Sequence, residues 1–334
     1  MIGHIKKTFQ KPIWIFLVFI LIVSCKKERT KNTLLTGDIF GTYYRVTYDS
    51  EIDFQRAFDS LFYVINKSMS TYQTNSDISK LNRNETQTVD THFINVFETS
   101  KEIYKTTEGA FDPTIGLVVN AWDFGPEGRI EHINNDKIDS LMQFVGLDKV
   151  SREGNIISKP KGAFIDFNAI AKGYAVDVIG NYLKSKNIHN YLVDIGGEIL
   201  AKGINNEKEK PWKVGVENPN FDGTQSINKV IALTGEAMAT SGTYRKFKTD
   251  ENGNRYAHII DTKTGYPSKT NLLSISVIAE NCMVADAYAT AFKAMGIENV
   301  QAFLEKHPEL KVFLIFENDK KELETLSLNG FPEH

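Results

Sequence analysis

A carboxylate and a hydroxyl stand one helical turn apart in Val284-Ala285-Asp286-Ala287-Tyr288-Ala289-Thr290. Asp286 and Thr290 are i,i+4, which places their Cβ atoms roughly 5–6 Å apart on one face of a helix. Two oxygen donors at that spacing can hold one hard cation, and Mg2+ takes such donors while keeping positions open for water or phosphate. The same spacing also suits a first helical turn that carries a carboxylate for its dipole while the threonine packs. Ala285, Ala287, Ala289 and Ala291 are small enough to let another backbone approach. His258, shortly before Asp261, is of the type that accepts a proton, or it is a satisfied structural histidine. Lys172, Arg245 and Lys246 can steady phosphate oxygens, although Arg245-Lys246 reads more simply as an exposed basic pair. Tyr72 and Phe40 can stack on a planar ring or fill a core.

The element that must position these groups runs from Ala163 to Leu200 and reads strand, helix, strand. Ala163–Phe167 is apolar and β-prone except for Asp166, and Asn168 is a helix-capping type. Ile170, Tyr174, Val178 and Tyr182 form one i,i+4 row; Ala171, Ala175, Ile179 and Leu183 form the next. Together they make a buried helix face about four turns long. Asn187 closes the helix, and Tyr191–Ile195 returns as a strand into Gly196-Gly197. Asp166, Asn168 and Lys172 therefore gather at a helix N-terminus, where free N–H groups and the dipole favour an anion. A capped core helix with an ordinary first turn would show the same residues.

The first 24 residues stand apart. Lys6, Lys7 and Lys11 precede an uncharged apolar run, Ile13–Val23, too short for a comfortable span and suited to a signal-peptide core. It ends at Ile22-Val23-Ser24-Cys25, which resembles a lipobox and implies cleavage before Cys25 and lipidation of its thiol. Residues 1–24 are thus expected to be a lipoprotein signal peptide and 25–36 a membrane-proximal tether. The rest is expected on the extracytoplasmic, periplasmic side, held to a lipid membrane. The formal net charge is −3, and it becomes more negative once the three leader lysines are removed. That balance, with no basic arm, excludes nucleic acid as a partner. Only two cysteines occur, so acylation of Cys25 leaves Cys282 with no intrachain partner.

Along the rest of the chain, strands are expected at Phe40–Tyr48, Trp212–Glu217, Ile227–Leu233, Tyr256–Ile260, Leu272–Ala279 and, last, Lys311–Phe316. Helices are expected at Phe54–Met69, Phe93–Thr106, Lys137–Val145, Met283–Met295 and Val300–Lys306. Regular βαβ alternation is missing. The fold class is therefore α+β, with mixed or antiparallel sheets and packed helices in two intimate lobes. No Walker A sequence, G-x-G-x-x-G, H-E-x-x-H, G-x-S-x-G or paired C-x-x-C is present, which argues against zinc and a Rossmann cofactor site.

Eight ordered segments carry a family resemblance: FGTYYRVTY, STY with SDISKLN, GAFDPTIG with NAW, DFNAIAKGYAVD, VDIGGEI, ATSGTYRKF, HIIDTKTGYP and ADAYATAF. In these the chain resembles the ApbE-type FAD:protein FMN transferases, or flavin transferases, from about Gly37 to Phe316. The resemblance implies a transferase domain over 37–334 with FAD, as substrate, in a cleft between the lobes. It implies flavin-nucleotide contacts at Phe40, Tyr72, Ala110, Phe111, Asp112, Asp166, Lys172 and Ile260. It further implies Mg2+ on the Ala169 carbonyl, Asp286 and Thr290; beside them, His258 is the candidate from the residues themselves for taking the hydroxyl proton, with Asp286 as the main ligand charge. The implied reaction moves FMN from FAD to a Thr or Ser hydroxyl in the flavinylation motif of an acceptor flavoprotein, releasing AMP. Water in place of the acceptor would give an FAD pyrophosphatase, and a flavin-binding lipoprotein without catalysis would share the same contacts. The chain departs from the family where Phe40 replaces a common Met, Asp123 a frequent Gly, and Thr262 a usual Pro, which implies a less rigid turn. Ala289 stands where some members carry Asp.

Overall fold

Every residue of Leu272–Ala279 is buried, the pattern of a strand covered on both faces. In the computed structural model it is the sixth of eight strands in one sheet. These are β1 (Thr33–Ile39), β2 (Thr42–Tyr48), β3 (Tyr191–Ile195), β4 (Glu198–Lys202), β5 (Ala237–Gly242), β6 (Leu272–Ala279), β7 (Lys311–Glu317) and β8 (Leu323–Leu328). Their order in the sheet is their order in the chain, and each neighbouring pair is antiparallel. The structure describes residue 3 and residues 31–127, 130, 133–244, 247–249 and 255–333. The expected signal peptide (Gly3 apart), the Cys25 lipidation site, residues 25–30 of the tether and the pair Arg245-Lys246 lie outside the described residues.

Period-two alternation sorts the sheet's side chains into two cores. Leu200, Ala237, Ala239, Ile275, Val277, Val312 and Leu314 enter the main core beneath the helices. Ile199, Met238, Ile278, Phe313 and Ile315 face the other way and meet Trp212, Val214, Val216, Ile231 and Leu233. Those partners belong to a three-stranded sheet at Ile204–Asn205, Lys210–Glu217 and Ile227–Leu233. The large sheet is therefore a middle layer, which is why its central strands carry almost no polar alternation.

The helices are α1 (Gln55–Met69), α2 (Asp77–Asn82), α3 (Thr91–Thr106), α4 (Gly116–Ala121), α5 (Asn135–Met142), α6 (Ala171–Ser185), α7 (Cys282–Met295) and α8 (Ile297–Leu304). The first six lie between β2 and β3, and the last two lie between β6 and β7. α1 buries Phe58, Phe62, Ile65 and Met69 on one stripe, as the spacing predicts. Among the described residues no helix is long and apolar enough to cross a membrane.

Local chemistry moves several expected boundaries. Ala163–Phe167 is not a strand: Phe164 makes one isolated bridge to Ile115, and the segment runs into a turn. α6 begins at Ala171, its cap position is Ile170 with no side-chain cap, and Asn168 sits in the preceding turn. Asn187 does close α6, at φ 60°. β1 takes in Thr33–Thr36, which the sequence reading gave to the tether, and Phe40 leaves the strand for a turn. The strand expected at Tyr256–Ile260 is only Arg255–Ala257, so His258 and Ile260 lie beyond it. β8 follows the strand expected to be last. Its exposed and half-buried residues give it no strong apolar signature.

Candidate active site

Two tight turns mark the end of the sheet where the site forms. Phe40 and Gly41 join β1 to β2 with φ of 53° and 73°, and Gly196 and Gly197 join β3 to β4 with φ of 63° and 98°. Positive φ at both central residues is the I′ pattern that matches strand twist. Glycine adopts it freely, whereas a bulky Phe there is strained, and such strain collects at functional sites. The Phe40 ring is held edge-on against Phe62 at 5.8 Å between centroids. Gly196 N–H donates to Tyr43 O at 3.0 Å, so the two turns lie side by side.

Beside them opens a cavity of about 860 Å³, near the upper end of the roughly 300–1,000 Å³ usual for small-molecule sites. Phe40, Tyr72, Ala110, Phe111, Asp112, Asp166, Ala169, Lys172, His258, Ile260, Asp286 and Thr290 all line it. The structure thus brings together every described residue nominated from sequence. Tyr72 stands 58% exposed at the rim, free to take a ring on its face. Asp112 is buried, and burial pushes its carboxyl up to about 6, opposed by hydrogen bonds from Thr114 and the Leu147 N–H. His258 lies 6.2 Å from Phe124, edge to face.

The metal-side residues meet at a helix crossing. Gly173 N–H donates to Asp286 Oδ2 at 3.0 Å. A Cβ on Gly173 would lie 2.3 Å from the Cys282 carbonyl oxygen and 2.9 Å from Asp286 Cβ, so only glycine permits this approach. Asp177, one further turn along α6, accepts the N–H groups of Cys282 and Met283 at 2.9 and 2.8 Å. It therefore caps α7 from another helix, while Asn281 caps it from within. Burial raises the Asp177 carboxyl to about 6 against those two donors. Asp286 is pushed up chiefly by burial and then by the charge of Glu198, while Lys172 and the Gly173 N–H pull it down.

A second ring of hydrogen bonds fixes the cavity walls. The Asn82 side chain pairs with both backbone groups of Ile165, at 2.8 and 2.9 Å. Asp166 N–H donates to Pro113 O at 2.8 Å, and Asp166 accepts Asn168 N–H at 2.8 Å. Trp122 Nε1 donates to Gly265 O at 2.9 Å. Thr262 Oγ1 donates to Gly109 O at 2.6 Å, a tie that a proline at this position could not make. Asp123 holds φ 64° and pairs with Lys248, an αL position that explains the glycine it replaces. Ala289 is buried in the main core and offers nothing to the site.

Sequence reasoning missed Gly173, Asp177, Asn82 and Glu198. Gly173 and Asp177 sit in the quoted helix; a Gly in an early helical turn and an Asp on its otherwise apolar side were the available signals. Glu198 directly follows the Gly-Gly turn as the first residue of β4, and a carboxylate opening a mostly apolar strand was the available signal.

The donors suit a magnesium-type ion. Among the described residues no group of three or more His, Cys, Asp or Glu could hold a metal, and the donors nominated for the ion are one carboxylate, one hydroxyl and one carbonyl. Among the described residues the buried Asp286 takes a hydrogen bond at Oδ2 alone, and Thr290 and Ala169 line the same space. Mg2+ is commonly held by one or two carboxylates and completed by substrate phosphates, and this sparse set fits that habit.

Comparisons with known proteins agree over most of the chain. Residues 40–314 match the ApbE family. An FAD:protein FMN transferase from Haemophilus influenzae is 38% identical, over 89% of this chain and 90% of that protein. One from Vibrio cholerae is 36% identical, over 90% of this chain and 92% of that protein. Among solved structures, the flavin transferase ApbE from Vibrio cholerae superposes with a TM-score of 0.80 at 34% identity, covering 89% of this chain and 97% of that one. The apo flavinyl transferase ApbE from Pseudomonas stutzeri gives 0.80 at 28% identity, covering 89% and 94%.

Proposed function

This chain belongs to the ApbE family, and from that premise we propose that it transfers the FMN portion of FAD to a Thr or Ser hydroxyl of an acceptor flavoprotein. The acceptor oxygen bonds to the phosphorus on the FMN side as the bridging P–O bond breaks. AMP departs with the bridging oxygen, and FMN stays on the acceptor as a phosphoester. The observation that carries the reading is the convergence in one cavity of an exposed ring, a lysine, a histidine and a buried carboxylate–hydroxyl pair from separate chain segments.

Tyr72 and Phe40 take the flavin-nucleotide rings on their faces, and Asp112 and Asp166 orient polar edges. Lys172 steadies pyrophosphate oxygens from the first turn of α6. Asp286, Thr290 and the Ala169 carbonyl would hold Mg2+, which when bound withdraws charge from the phosphorus under attack. His258 accepts the proton of the incoming hydroxyl.

The leader and Cys25 support an extracytoplasmic lipoprotein. Because β1 starts at Thr33, residues 26–32 at about 3.5 Å each allow the domain to sit only about 25 Å from its anchor. That suits an acceptor at the same membrane.

The test is mass spectrometry of a threonine-bearing acceptor peptide after incubation with FAD and Mg2+. An FMN adduct with wild type and none with Asp286→Ala, at unchanged circular dichroism, is expected. Release of AMP without acceptor, and no adduct with it, would replace transfer by hydrolysis.

A further inference from the structure

Glu198 has no role in the account above, yet its side chain is only 2% exposed and lines the same cavity. Its Oε2 lies 2.6 Å from Lys172 Nζ but receives no hydrogen bond: the contact is an ion pair without donor alignment. Buried carboxylate oxygens are normally satisfied by donors, since each can take more than one. The two partners differ in freedom. Glu198 is pinned as the first residue of β4 after the Gly196-Gly197 turn. Lys172 is 31% exposed and carries its charge on a flexible four-carbon stem.

Glu198 also faces the Asp286 side of the cavity. The charges of Glu198 and of Lys172 both act on Asp286, in opposite senses. With both carboxylates ionised, the single Lys172 ammonium leaves one negative charge of the pair uncompensated. A divalent cation neutralises it better and can use the oxygen that takes no hydrogen bond among the described residues.

We propose that Glu198 is a further carboxylate of the cation pole, and that Lys172 is its placeholder until a divalent ion arrives. On loading, the ammonium leaves Glu198 and turns to the pyrophosphate oxygens, while Glu198 faces the metal directly or through a water. This rests on the reading above that the cavity takes a divalent cation together with a pyrophosphate.

The test is thermal unfolding without and with Mg2+, at ionic strength matched with NaCl, for wild type, Lys172→Met, Glu198→Gln and the double variant. Lys172→Met strands a buried carboxylate, so its metal-free Tm falls by roughly 5–10 °C, and its Mg2+-induced rise is at least twice that of wild type. Glu198→Gln, which leaves no stranded charge, keeps its metal-free Tm and loses at least half of the Mg2+-induced rise. The double variant recovers the metal-free Tm and shows the small rise. Equal Mg2+-induced rises in wild type, Lys172→Met and Glu198→Gln overturn the proposal. Should Lys172→Met not fold, Glu198→Gln alone decides it. Failure of the underlying metal reading looks different: wild type then shows neither a Mg2+-induced rise nor bound Mn2+ by electron paramagnetic resonance.

Discussion

Replacing Gly173 by Ala should separate activity from stability. The new methyl carbon would sit 2.3 Å from Cys282 O, 2.7 Å from Cys282 C and 2.9 Å from Asp286 Cβ. Backbone cannot yield as a side-chain tip can, so α6 and α7 must part by about 1 Å to reach ordinary contact. Overpacking of this kind costs about 1–3 kcal/mol, and Ala recovers about 1 kcal/mol of helix propensity. The net loss of stability is therefore about 0–2 kcal/mol. A 1 Å misplacement of a reacting constellation costs about 100-fold in rate, and here the displaced groups are Asp286 and its hydrogen bond to Gly173 N–H. The assay is single-turnover FMN transfer alongside urea unfolding. Gly180→Ala is the control on the same helix: its Cβ would meet Leu200 Cδ2 at 2.5 Å, a side-chain end away from the cavity, so stability falls while turnover stays near wild type. Full turnover in Gly173→Ala, or equal rate losses in both variants, would refute the reasoning.

Other outcomes follow from single residues. Tyr72→Ala should weaken FAD binding by about 1–3 kcal/mol, measured by flavin fluorescence, whereas Tyr72→Phe should keep most of it because the ring does the stacking. Asp112→Asn tests burial: the folded pKa stands at about 6 against 3.8, so the carboxyl's contribution to stability is full below about pH 4 and lost as pH rises through 6. Asn keeps an acceptor for the two Thr114 hydrogen bonds and has no charge to bury. Its stability relative to wild type should rise by up to about 3 kcal/mol between pH 4 and pH 7 in urea melts, and parallel curves would discard that account. Thr262→Val should cost about 1 kcal/mol through the lost bond to Gly109 O, and Thr262→Ser should restore it. His258→Asn should lower the transfer rate while FAD affinity stays near wild type; a change confined to affinity would remove His258 as the proton acceptor.

The sequence made the amphipathic helices legible because their stripes are long and regular: α1, α3 and α7 fall where periodicity puts them. It made the cavity residues legible through ordered motifs, and all of those that the structure describes meet in one space. It was silent where the deciding contact is distant in the chain. Asn82 mimics a strand partner for Ile165, and Asp177 caps a helix more than a hundred residues away. No local pattern encodes either. Ala163–Phe167 misled for a related reason: its residues are β-prone, but their pairing groups are supplied mainly by the Asn82 side chain and the Pro113 carbonyl and not by a strand. β1 escaped notice because Thr33–Ile39 alternates only half-buried and exposed positions at an edge.

The helix crossing also places a chemical probe where it is most useful. Cys282 is the only cysteine among the described residues, fully buried, and burial lifts its thiol well above the usual range. An alkylating reagent reaches that sulfur, which lies 3.9 Å from the Met238 carbonyl of β5, only in molecules where the start of α7 has opened from its neighbours. The labelling rate therefore counts openings at the start of α7, the end of the helix that Gly173 and Asp177 of α6 hold. Ligands that bridge the two helices must slow that rate in proportion to their occupancy, and the untouched protein reports its own closure without an added tag.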